Sequence, residues 1–201
     1  MLDDRVLVVL LAALAISAAG LLTSRNASMT GALTSASTTS SAVIEKYFSI
    51  NVSGNLSTGI DFGTIAALPA VNHNASLNYN DTSYPGENDG NESLYWVTVE
   101  TDSNTPVDFC IIATAFNTSG GIEIEIGNYT FSDSGWNNIT YPGPVDELTM
   151  STSAYVAGET GITVGSSDYF RFWLDVPATT PSGTYNNTVT FLGRPTGVAC
   201  P

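Results

Sequence analysis

Hydrophobic residues recur along this chain in short runs, and helical periodicity is absent after residue 24. The runs are rich in β-branched and aromatic residues, and clusters of Gly, Pro, Asn and Asp separate them. Such a pattern predicts an all-β fold, a single sandwich of two sheets. The predicted strands are Val43–Val52, Gly59–Ile65, Leu94–Thr101, Val107–Ala115, Ile122–Phe131 with a Gly break, Thr149–Val156, Tyr169–Val176 and Gly183–Leu192.

Alternation within these runs assigns one inner face to each strand. The assignment predicts that most aromatic residues belong to the core and do not form a ligand platform. The predicted inner positions are Ile44, Phe48, Ile50 and Val52; Ile60 and Phe62; Tyr95, Val97 and Val99, or their neighbour Trp96; Phe170, Phe172 and Leu174; and Tyr185, Val189 and Phe191.

A long polar segment, Val71–Ser93, interrupts the strand pattern and predicts a surface loop. Its acids Glu87, Asp89 and Glu92 surround Gly90, but their spacing departs from that of a calcium-binding loop. The segment therefore does not predict a calcium site.

An apolar run, Val6–Leu22, dominates the first 24 residues. It predicts that residues 1–24 form a cleaved signal peptide, with Ser17 and Ala19 placed for cleavage near Gly20. The run also has about the minimum length of a membrane span, so a retained anchor or a pilin-type core helix is the alternative. Residues 25–42 then form an N-terminal extension, and residues 43–201 form the sandwich domain.

The amino-acid composition argues against nucleic-acid binding and against a disordered chain. Five Lys and Arg residues stand against nineteen Asp and Glu, which gives a net charge of -14 and no basic surface for nucleic acid. The hydrophobic fraction of 43% argues against a disordered chain. Ser and Thr supply 47 residues and Asn 16, so hydroxyls and amides replace charges on the polar surface.

Ten Asn-x-Ser/Thr sequons are spread along the chain, well above the roughly four that this composition produces by chance. In an exported chain they predict N-linked glycans on loops and outward strand faces. An Asn- and Thr-rich β surface without glycans is the alternative. The sequons lie at Asn26, Asn51, Asn55, Asn74, Asn80, Asn91, Asn117, Asn128, Asn138 and Asn186.

Two cysteines, Cys110 and Cys200, complete the inventory of reactive side chains. An even number in an exported chain favours one disulfide between them over two unrelated thiols. A metal site is not predicted, because the chain has a single His, His73, and no CxxC motif. We expect no cofactor.

The extension is rich in Ser, Thr, Ala and Gly, and it carries a weak period of two through Ala27, Met29, Gly31 and Leu33. Small residues with this period suit a strand that enters a narrow groove. A flexible or O-glycosylated linker is the alternative.

Four stretches of residues 43–200 are distinctive: FSINVSGNLSTGIDFGTI, YWVTVETDSNTPVDFCI, IGNYTF and YFRFWLDVPATTPSGTYNNTVTF. Through these motifs the chain resembles the subunits of archaeal surface filaments called bundling pili and threads, which are distantly similar to bacterial biofilm-matrix fibre proteins and camelysin. The resemblance implies a jelly-roll-like sandwich that polymerises head to tail outside the cell, in adhesion or biofilm formation. In this family the extension of one subunit completes the sheet of the next.

Strand physics predicts the same mechanism. A sandwich that lacks one strand exposes backbone groups and an apolar groove, and an arm from a second copy satisfies both. We expect the donor strand within Asn26–Ala42, and a groove lined by the first and last strands through Phe48, Ile50, Val189 and Phe191. The partner is then the chain itself, and a membrane is involved only during export.

Three other functions stay open at this point. A pilin could assemble through a retained N-terminal helix, and a glycosylated adhesin could act as a monomer. A camelysin-like metallopeptidase is disfavoured, since one His and no HExxH motif leave no zinc site. Glu123 and Glu125 share one strand face, which suits outward-facing acids as well as acid/base chemistry.

Overall fold

A computed structural model describes residues 39–79, 92–135 and 147–201. A five-residue helix, α1 (Gly54–Thr58), and a 3-10 turn at Ile126–Asn128 are the helical elements of these ranges. The strands are β1 (Ile50–Val52), β2 (Ala70–Asn74), β3 (Tyr95–Val99), β4 (Val107–Ala113), β5 (Phe116–Asn117), β6 (Glu123–Ile124), β7 (Tyr129–Ser134), β8 (Leu148–Thr149), β9 (Val156–Ala157), β10 (Ser167–Val176) and β11 (Val189–Pro195).

The strands pair in antiparallel sheets, which confirms the all-β prediction. The larger sheet has the order β1-β3-β10-β7-β8, and β2 pairs with the second half of β10. A smaller sheet has the order β11-β4-β9, and β5 pairs with β6. Together the two main sheets form a sandwich-like fold.

Alternation along the central strands builds the core. Side chains at every second position of β3, β4 and β10 are buried, and rings from the two sheets meet between them. Phe170 of β10 packs edge-on against Phe191 of β11, with 5.2 Å between the ring centroids. Burying an aromatic side chain of this size stabilises the fold by about 1.5 to 3 kcal/mol.

The strongest runs were predicted well, whereas the loop-rich segments were not. Gly59–Ile65 forms no strand, since Gly59 and Gly63 adopt positive φ angles of 128° and 63°. Instead α1 precedes it, with the Ser53 hydroxyl accepting a hydrogen bond from the Leu56 N–H. The predicted surface loop Val71–Ser93 is also wrong in part, because β2 extends into it and pairs with β10.

Several predicted boundaries need correction. Only the last three residues of Val43–Val52 form a strand, and Ile44 is 84% exposed and not on an inner face. Thr149–Val156 is split between β8 and β9, and Ile122–Phe131 is split by the 3-10 turn. The last strand begins at Val189, later than predicted, and continues to Pro195.

Cys110 and Cys200 form a disulfide, as the sequence predicted, with 5.8 Å between their Cα atoms. Cys110 lies in β4, where it is flanked by Leu192 of β11 and Ala157 of β9. The Tyr155 N–H donates a hydrogen bond to the carbonyl of Pro201. The disulfide and this hydrogen bond together hold the C-terminal tail against the smaller sheet.

The strands belong to one compact unit, Glu45–Pro201. In Met1–Ile44, residues 39–44 are the described part, and they are exposed and without regular secondary structure. The predicted signal peptide and the residues Ala27, Met29, Gly31 and Leu33 lie outside the described residues. Within the described ranges no helix has the length and apolar character to span a membrane.

Candidate docking groove between two sheet edges

The outermost strands β1 and β11 lie next to each other although they belong to different sheets. Each ends its sheet, so in the described part of the chain one edge of each strand has no partner strand. A Cβ atom placed on Gly193 of β11 would lie 2.9 Å from Cε2 of Phe48 and 3.2 Å from Cγ2 of Ile50. The two edges therefore border the same side of the sandwich.

Apolar side chains along these edges are less buried than those at the centre. Phe48, Ile50, Val189 and Phe191 all pack against the core, yet all four are only partly buried. By contrast, the inner residues of β3 are fully buried. Phe48 and Ile50 thus lie beside Gly193 of β11, and Val189 and Phe191 belong to the same strand. A strand that paired with either edge would bury more of their apolar surface.

The chain segment that leads into β1 is fastened by side chains of the β3–β4 turn. Asn104 accepts a hydrogen bond from the Tyr47 N–H and donates one to the Glu45 carbonyl, at 2.7 and 2.9 Å. The Ser49 hydroxyl donates to Asp102 at 3.0 Å. These bonds fix the backbone from Glu45 onward, and so they also fix the position of Phe48.

Most of the described sequon asparagines are at the surface, where a glycan has room. Asn51, Asn55, Asn74 and Asn186 are exposed, and Asn117 and Asn128 are half-buried. The remaining sequons, Asn26, Asn80, Asn91 and Asn138, lie outside the described residues. Glycan attachment stays a prediction.

One sequon hydroxyl has a structural role of its own. The buried Ser53 side chain caps α1 and donates to the Leu94 carbonyl at 3.1 Å. Because of this role, the Asn51 sequon has a structural explanation for its Ser that does not depend on a glycan.

The residues considered for catalysis or metal binding are dispersed. Glu123 and Glu125 are exposed on either side of the buried Ile124, as expected for outward-facing acids. The ring Nε2 of the half-buried His73 is 2.9 Å from the Phe62 carbonyl oxygen, which satisfies it locally. Glu87 and Asp89 fall outside the described residues, and Glu92 is exposed.

A cluster of three acids, which no sequence-based prediction contained, lies between the two sheets. Asp168 is fully buried, and Asp133 and Glu159 are half-buried. Asp133 of β7 and Asp168 of β10 both point inward, and Glu159 follows β9 in the smaller sheet. The Glu159 N–H donates to Oδ2 of Asp133 at 2.5 Å. A strand predicted to begin at Asp168 would have placed this acid on the inner face with Phe170 and Phe172, but not beside Asp133.

Burial perturbs both inward acids. It raises the pKa of Asp133 to about 7, with the Glu159 carboxylate adding to the effect and the Glu159 N–H opposing it. Burial also raises the pKa of Asp168 well above its usual range, and the charges of Asp133 and Glu159 raise it further.

No protein-family model, curated protein or solved structure matches this chain.

Proposed function

We propose that this protein is the structural subunit of an extracellular filament, and that it polymerises head to tail by donating a strand to the next copy. The single observation that carries the proposal is the pair of open edges, β1 and β11, which border one side of the sandwich. A β-strand from another copy would complete the backbone hydrogen bonds of such an edge and cover its apolar side chains.

The proposed occupant is the segment Asn26–Ala42 of a second copy, with Met29 and Leu33 as its apolar anchors. The segment precedes β1, and its small residues would let its backbone approach the groove closely. Residues 39–42, its last part, are exposed in the single chain. Because donor and groove are different surfaces of one subunit, the contact is heterologous and propagates as a fibre.

The finer fold assignment, a jelly-roll-like sandwich in which the donor adds the missing strand, belongs to the same proposal. Cleavage of residues 1–24 would free the extension after export. Glycans on exposed asparagines would keep fibres hydrated and limit sideways sheet pairing. The proposed setting is the cell surface, in adhesion or biofilm formation.

The test is fibre formation by purified chains, observed by negative-stain electron microscopy. We expect that deleting residues 26–42 abolishes fibres, and that Leu33→Asp does the same by placing a charge in the apolar groove. Thr34→Asp is the matched control: it adds the same charge one residue later, on the opposite face of an extended strand, and should leave fibres intact. Fibres from the deletion variant would refute strand donation.

A further inference from the structure

Asp133 and Asp168 form a carboxyl pair on the inner face of the larger sheet, with Asp168 fully buried and Asp133 half-buried. In the β7–β10 pairing, Asp133 is opposite Phe170, which lies two residues from Asp168 on the same face of β10. The two acids are therefore diagonal neighbours on the inner surface. Gly158, in the segment after β9, packs against Asp133, since a Cβ atom there would overlap Oδ2 of Asp133.

Asp168 is the unusual member of the pair. Its side chain is 0% exposed, and its carboxyl oxygens have no hydrogen-bond partner of ordinary geometry among the described residues. The backbone N–H groups of Tyr169 and Ser134 only partly oppose the rise that burial causes in its pKa. A carboxylate buried in this way with so little compensation costs several kcal/mol, and the cost is much smaller when the group is neutral. The geometry therefore demands something positive at this position, either a proton or a cation.

The charged groups on the surrounding elements do not supply a cation. Glu159 adds a third acid, β3 carries no charged residue, and Asp108 of β4 instead accepts N–H groups of Gly161 and Gly197. On β10 itself, Arg171 donates its Nε–H to the Asn78 carbonyl, and Asp175 accepts the Asn72 N–H.

Few other basic residues could supply a positive charge to Asp168. Lys46 is exposed in the segment before β1, and Arg194 of β11 is in register with Asp108 on β4. Residues 80–91 and 136–146 contain no Lys, Arg or His, so only Arg5 and Arg25 lie outside the described ranges.

A bound metal ion suits the site less well than a proton. No three acidic, His or Cys side chains in residues 39–79, 92–135 and 147–201 are arranged to hold a metal ion. A proton needs no set of ligands, because it neutralises the carboxyl that binds it. We propose that Asp133 and Asp168 bind protons in the folded state, and that this carboxyl pair makes the domain acid-stabilised.

The direction in which stability changes with pH follows from the number of protons bound by the folded and unfolded states. The pKa of Asp133 rises from 3.8 to about 7, and that of Asp168 is raised too, so the folded state binds more protons than the unfolded chain. The stabilisation is complete below about pH 4 and is lost as pH rises through about 7. For each proton involved, the folding equilibrium constant falls about tenfold per pH unit inside that window.

The experiment is urea unfolding of the full, disulfide-bonded chain between pH 4 and pH 8, followed by tryptophan fluorescence. We expect the urea midpoint of the wild type to fall as pH rises. Asp168→Asn should flatten this fall, because the amide keeps the shape and cannot ionise. Asp133 and Glu147, whose pKa values burial also raises, leave a residual slope in the same direction. The control Glu123→Gln removes an exposed charge and should keep the wild-type slope.

Glu159→Gln keeps the proposal testable if Asp168→Asn does not fold. It removes a charge that faces the pair, so it should raise the midpoint at pH 8 and leave the midpoint at pH 4 unchanged. A wild-type midpoint that is flat or rises between pH 4 and pH 7 would overturn the proposal. So would a midpoint at pH 8 that millimolar calcium restores in the wild type but not in Asp168→Asn, since the pair would then be a cation site. These measurements need no fibres, so their outcome is independent of strand donation.

Discussion

Gly193 of β11 and the Phe48 ring are in such close contact that no side chain fits between them. A Cβ atom at Gly193 would meet Phe48 Cε2 at 2.9 Å and Val107 Cγ1 at 3.1 Å. This glycine lets the edge strand of the smaller sheet approach the segment that leads into β1 of the larger sheet. The side of the sandwich that we propose as the docking groove depends on this contact.

Gly193→Val should therefore destabilise the domain and deform the groove together. We expect a loss of about 1 to 3 kcal/mol in the free energy of unfolding, because Phe48, Val107 and Ile50 must all move. Urea unfolding measures the loss. Gly127→Val, at a position where an added Cβ has open space, controls for the general effect of removing a glycine. Equal stability of the two variants would show that the Gly193 contact is not tight.

Removing the disulfide should destabilise the chain without unfolding the core. Cys110 and Cys200 are 90 residues apart, and a disulfide that closes so long a loop contributes about 4 to 5 kcal/mol in the chain-entropy model. We expect a Cys110→Ser, Cys200→Ser double variant to unfold at lower urea concentration, with the C-terminal tail detached. Unchanged stability under matched conditions would mean that the bond adds nothing to the packing of the tail.

Asp108 should make the domain less stable at low pH, where its carboxylate is protonated. Partial burial favours a higher pKa for this carboxyl, but hydrogen bonds from the Gly197 and Gly161 N–H groups outweigh it, so its pKa is lowered. The stabilisation it provides is present above about pH 3.8 and is lost as pH falls through its lower folded value. Asp108→Ala should cost about 1 to 2 kcal/mol at pH 5. The cost should shrink below pH 3, and a pH-independent cost would contradict this assignment.

Two of the predicted glycosylation sites compete for space. Asn117 and Asn186 form an isolated antiparallel bridge in which each N–H donates to the other's carbonyl, at 2.9 and 3.0 Å. Side chains of directly opposed residues project from the same face, so two glycans would collide. We expect the more exposed Asn186 to carry the glycan in the native host. In Asn186→Gln, glycopeptide mass spectrometry should show higher occupancy at Asn117. Full occupancy of both sites in the wild type would contradict the competition.

The central strands were predictable because their burial follows a period of two over many residues. β3, β4 and β10 are runs of this kind, and the inner positions Phe170, Phe172 and Leu174 are all buried. The extended edges were harder to predict. β2 consists of AVNHN, whose polar residues resemble a loop, and it is a strand because β10 offers it an unpaired edge. Such pairing depends on tertiary contacts that local sequence does not encode.

The proposed groove and the acid pair also differ in how far local sequence could predict them. The sequence groups Phe48, Ile50, Val189 and Phe191 by their place in the first and last strands, and a groove at these residues stays a prediction. Asp133 and Asp168 could not be grouped from the sequence, because only the register between β7 and β10 brings two acids 35 residues apart to one face.

Binding of an isolated donor peptide to a subunit without its own donor tests strand donation most directly. A labelled peptide of residues 26–42 is titrated into the chain that lacks these residues, and backbone hydrogen exchange is measured for the complex. We expect saturable one-to-one binding, slower exchange along β1 or β11, and no binding by the Leu33→Asp peptide. The absence of binding, or equal binding of both peptides without protection of either edge, would contradict it.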